Sequence, residues 1–69
     1  MNPRYAGAFN NLGKTLKDLG KLDDAEVSCR QAISLEPDYA VAHFNLGNIL
    51  KELGRLEEAE AAYRHAIAL

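Results

Sequence analysis

Apolar positions along the 69-residue chain recur at spacings of three and four, the mark of helices that bury one stripe. Phe9, Leu12, Leu16 and Leu19 form the first stripe, and Gly20 ends it. Leu22, Ala25, Cys29, Ala32 and Ile33 form the second, whose first turn carries Asp23 and Asp24, where the open amide ends of a helix favour negative charge. Glu36-Pro37-Asp38 interrupts the pattern. Pro37 has no amide proton and would clash inside a helix, so it belongs close to the start of the next one. Two more stripes follow, the last opened by Glu57 and Glu58. The pattern predicts four helices over about 4–19, 22–35, 38–53 and 56–69. Connections this short fold consecutive helices back antiparallel, which makes the expected fold all-α.

The stripes are copies of one another. At a shift of about 34 residues, Pro3 falls on Pro37, Tyr5-Ala6 on Tyr39-Ala40, Asn11-Leu12-Gly13 on Asn45-Leu46-Gly47, and Leu16-Lys17 on Leu50-Lys51. Leu19-Gly20, Leu22, Ala25-Glu26, Arg30, Ala32-Ile33 and Leu35 then meet identical residues without a gap, so about half of the overlapping positions match. The expected organisation is a lead-in or the tail of a preceding repeat over residues 1–5, one unit over 6–39, and a second over 40–69 that stops before a closing proline. Small residues at Gly13, Ala25 and Ala32, and at Gly47, Ala59 and Ala66, let paired helices approach closely.

Composition narrows the function classes. Apolar residues make up 48% and charged residues 26%, a globular balance rather than a disordered one, and no apolar run is long enough to span a bilayer. The formal charge is −2 with both signs interspersed, so neither nucleic acid nor an anionic membrane is an expected partner. The single cysteine, Cys29, has no partner for an intrachain bridge, and the first residues lack the basic-then-apolar order of a secretory signal, so a cytoplasmic location is expected.

No catalytic constellation is evident. His43 and His65 sit at unrelated positions on different helices, with no ligand one helical turn away, so neither a metal site nor a cofactor is expected. Cys29 occupies an apolar position equivalent to Tyr63 and reads as a buried, inert thiol. The acidic pairs are explained by helix electrostatics, and isolated glycines in helical periodicity form no phosphate cradle. Tyr5, Tyr39 and Tyr63 are expected to pack with their hydroxyls at polar edges.

The spacing Phe9-x-x-Leu12-Gly13-x-x-Leu16, then Ala25-x-x-x-Cys29 and Pro37, resembles the tetratricopeptide repeat. The second unit reads His43-x-x-Leu46-Gly47-x-x-Leu50, then Ala59-x-x-x-Tyr63. Its departures are Leu16 and Leu50 for the second aromatic, Cys29 for the third, and His43 for the first. The phrasing of the second unit is similar to units of long superhelical arrays, such as those of O-linked N-acetylglucosamine transferases. The resemblance implies two tandem helix-turn-helix units, a fragment of a right-handed α-solenoid. It also implies that the first helix of each unit lines a concave face, with Gly7, Asn10, Asn11, Lys14, Lys17 and Asp18 there, matched by Val41, Phe44, Asn45, Asn48, Lys51 and Glu52.

The expected function is therefore a non-enzymatic scaffold that holds an extended peptide or partner segment on that face. Asn11 and Asn45 are the favoured pair, because an amide both donates to and accepts from a peptide backbone; the alternative is that both bind water or fasten neighbouring helix turns. Lys14, Lys17 and Lys51 either attract an acidic peptide or merely solvate a helix face. Phe44 either anchors an apolar side chain or packs between units. The carboxylate clamp of chaperone-binding relatives is not reproduced, since Asn10 and Lys14 stand where it needs lysine and asparagine; only Asn45 matches. Two alternatives remain open: a structural repeat fragment without a ligand of its own, and a targeting module of a larger enzyme.

Repeats bury part of their apolar surface only against their neighbours, so two units leave apolar ends. Leu56, Ala59, Tyr63, Ala66 and Ile67 are expected to contribute to self-association, by stacking, by a two-fold dimer or by helix exchange.

Overall fold

The computed structural model describes the backbone of residues 3–69 and the side chains from Tyr5 onward; of the lead-in expected over 1–5, Met1 and Asn2 lie outside the described residues and the rest opens the first helix. Four helices follow one another: α1 (Pro3–Asp18), α2 (Leu22–Leu35), α3 (Ala40–Glu52) and α4 (Leu56–Ala68). No strand occurs among the described residues. The periodicity located every helix. Only one boundary differs by more than a single residue: α3 begins at Ala40 rather than 38, because the Tyr39 amide donates to the Glu36 carbonyl and closes a turn first.

The turns within the two hairpins are the same device used twice. The Lys21 amide donates to the Leu16 carbonyl at 2.8 Å and the Gly20 amide to that of Lys17 at 2.9 Å. Arg55 to Leu50 (2.9 Å) and Gly54 to Lys51 (3.0 Å) repeat the pattern. These paired bonds satisfy the last carbonyls of a helix and require a left-handed residue, which Gly20 (φ +82) and Gly54 (φ +83) supply without the clash a Cβ would bring.

Inside each hairpin the helices touch through glycine. A Cβ on Gly13 would stand 2.6 Å from the Cys29 sulfur and 3.2 Å from the Ala25 carbonyl oxygen. On Gly47 it would stand 2.7 Å from the Tyr63 ring. The side chain of the second helix thus fills the space the glycine leaves. This explains why Cys29 and Tyr63, so different in chemistry, occupy equivalent positions.

The hairpins then nest. Helix α3 packs on α4, on α2 and more lightly on α1, whereas α4, among the described residues, packs on α3 alone. The core accordingly gathers around α3: Leu46, Ile49 and Leu50 meet Ala25 and Cys29 from one side and Ala59 and Ala62 from the other. Equivalent positions therefore have unequal surroundings. Leu46 is 5% exposed and its counterpart Leu12 47%; Ile49 is wholly buried and its counterpart Thr15 exposed.

Candidate binding faces

The first helices of the hairpins present a shared face. On α3, Val41, Phe44, Asn48 and Lys51 follow one another at spacings of three and four, and all but the half-buried Asn48 are exposed. On α1 the equivalent line runs through Gly7, Asn10, Lys14 and Lys17. The two lines are tied where the helices approach. The Asn45 side-chain amide donates to Asn10 Oδ1 at 2.9 Å, and both residues are buried.

That bond changes the roles expected of the asparagines. Asn11 and Asn45 are equivalent in sequence but not in surroundings: Asn11 is exposed, whereas Asn45 is spent on Asn10. Asn10, expected on the open face, is buried as the other half of this tie. Asn48 is also engaged, accepting from the Tyr63 hydroxyl at 2.5 Å. Phe44 is 52% exposed and leans on Tyr63, with ring centroids 5.7 Å apart, so it packs on one side and faces outward on the other. Lys14 and Lys17 each lie 3.6 Å from the Asp18 carboxylate, while Lys51 and Glu52 are exposed.

Of the tyrosines, Tyr63 meets the expectation of a packed ring with a bonded hydroxyl, and Tyr39 is half-buried. Tyr5 does not, being 62% exposed: it lies on α1, which among the described residues packs on α2 and α3 alone. The residues expected at an apolar end also divide. Ala59 is buried against α3 and Tyr63 half-buried, because the α3–α4 hairpin consumes them internally; Leu56 and Ile67 are exposed, and Ala66 is intermediate.

A charged link that spacing alone does not reveal joins the hairpins on another side. Arg55, in the turn before α4, donates to Glu26 of α2 at 2.7 Å and to both carboxylate oxygens of Glu58. Arg30 also donates to Glu26, at 2.9 Å. Burial by itself would raise the Glu26 carboxyl, but the hydrogen bonds from Arg55 and Arg30 outweigh it and hold it below the ordinary carboxylate range. Hydrogen bonding to Arg55 likewise lowers Glu58. The residue types gave no warning of this network because its long arm spans 29 positions.

Cys29 is buried and unbridged, and burial pushes its thiol up to about 11. A thiol so far from ionising is a poor nucleophile at neutral pH, in keeping with a packing role. No described helix is long and apolar enough to cross a membrane.

The matching family model describes a tetratricopeptide repeat and covers residues 4–69, nearly the whole chain. The protein belongs to the tetratricopeptide repeat family. Comparison with curated proteins finds no match. Tetratricopeptide repeats are in general protein-interaction modules and typically non-catalytic, and the two nested helix hairpins of this repeat protein have the corresponding architecture.

Proposed function

We propose that this tetratricopeptide repeat protein binds an extended partner segment along the face formed by α1 and α3. The observation that carries the reading is the continuous line Val41, Phe44, Asn48 and Lys51 beside Lys14 and Lys17, with Phe44 half exposed at its centre. An aromatic face flanked by lysines suits a segment that carries an apolar side chain next to acidic ones. The exposed amide of Asn11 is available to that segment's backbone, whereas Asn45 serves the scaffold. A peptide-library screen tests this. Phe44→Ala and Lys51→Glu should each weaken the selected peptides by about tenfold or more, since burying an aromatic anchor is worth over ~1 kcal/mol. Binding unchanged in both variants would contradict it.

A second reading, self-association by end-to-end stacking, rests on the repeat itself. Ile33 of α2 packs against the core that α3 helps build, while its counterpart Ile67 on α4 is 84% exposed. On α1, Leu12 is exposed where its counterpart Leu46 docks. The α1 of a second copy therefore has on α4 the partner that α3 has on α2. Sedimentation should show Leu12→Glu and Ile67→Glu each monomeric, with a heterodimer only on mixing, because mixing restores one intact interface. A two-fold dimer would be broken on mixing as well, which would refute stacking.

A further inference from the structure

The two histidines that spacing alone leaves unrelated are neighbours in the fold. His43 on α3 and His65 on α4 have ring centroids 5.0 Å apart and an interplanar angle of 49°. Both line a groove of about 340 Å³ between α2 and α4, floored by Leu46 and Leu50 of α3. His43 is only 8% exposed, and its Nε2 lies 2.8 Å from the Pro37 carbonyl oxygen. A carbonyl only accepts, so Nε2 carries the proton and, in the neutral ring, Nδ1 is left as a bare lone pair. Nδ1 has no hydrogen-bond partner among the described residues, yet no described buried side-chain nitrogen or oxygen is both sealed from solvent and unsatisfied. That nitrogen is therefore not sealed from solvent.

We propose that His43 and His65 together bind a divalent transition-metal ion of the zinc, nickel or copper type through their imidazole nitrogens, with water completing the coordination. The spacing fits. With metal–nitrogen bonds of about 2.0–2.1 Å, two imidazoles on one ion at tetrahedral or square angles have their centres roughly 4.5–5 Å apart. The Pro37 carbonyl is the kind of second partner that fixes a ligating histidine's tautomer and ring orientation. Imidazole selects these metals over calcium or magnesium, which take oxygen donors.

The surrounding charges permit such a site without completing it. Glu58 borders the groove, but both of its oxygens are held by Arg55, and Arg30 on the opposite wall is drawn to Glu26. The described residues hold no group of three or more histidine, cysteine or carboxylate ligands, so this is a two-imidazole site. The repeat supplies an internal control: the positions equivalent to His43 and His65 are Phe9 and Gln31, so the second unit carries histidine at both members of a pair that the first fills with non-ligands.

The experiment is a titration of the full chain with nickel(II) alone, followed by heteronuclear NMR. Paramagnetic broadening should begin together at His43 and His65, and zinc(II) should reverse it. The variants His43→Phe and His65→Gln install the first unit's residues and should each weaken nickel binding by on the order of tenfold or more, the least that loss of even a supporting group costs a metal site. Unchanged affinity in either variant, or broadening that begins elsewhere, would overturn the proposal. Should His43→Phe fail to fold, His65→Gln decides alone, since His65 is exposed.

Discussion

Ile49→Ala is expected to destabilise the protein by about 2–5 kcal/mol, whereas Thr15→Ala, at the equivalent position of the first unit, should change stability by no more than about 0.5 kcal/mol. Ile49 is wholly buried within the cluster that joins α2, α3 and α4, so its truncation loses transfer free energy and leaves a cavity in the most densely packed helix. A chain of 69 residues commands only about 3–10 kcal/mol in total, so the alanine variant would lose a large share of it. At roughly 4–8 °C per kcal/mol for a domain this small, the melting temperature should fall by more than about 8 °C. Thermal denaturation followed by circular dichroism measures both variants. Similar losses at both positions would mean that the two units are packed alike and that α3 is not the central helix.

That contrast also shows what periodicity can and cannot deliver. Spacings of three and four placed all four helices, because the buried stripe of a helix is written into a single element. The shift of 34 residues separated the two hairpins, because Gly20 and Gly54 end their first helices with the same left-handed turn. Which copy of a repeated residue is buried lies beyond such patterns. Leu12 and Leu46 read identically, and so do Asn11 and Asn45; only nesting covers the second of each pair. The missed contacts are of this kind. Asn45 meets Asn10 rather than its own counterpart, because equivalent residues on stacked helices point the same way and so do not face each other. His43 and His65 converge only once α4 has folded back on α3. The lysines on the shared face were legible as a line, but their pairing with Asp18 depends on side-chain geometry that spacing does not set.

The tie between Asn10 and Asn45 tests the nesting of the hairpins most directly. Replacing either residue with alanine removes one partner and leaves the other's amide buried without its bond, a cost of about 1–3 kcal/mol. Removing both amides strands neither, so the double variant should be less destabilised than the two single losses added together. Chemical denaturation of the wild type, Asn10→Ala, Asn45→Ala and the double variant closes the cycle. Hairpins nested through their first helices predict a coupling of about 0.5–3 kcal/mol between these residues. Strictly additive losses would contradict that nesting, and with it the shared face on which the proposed partner lies.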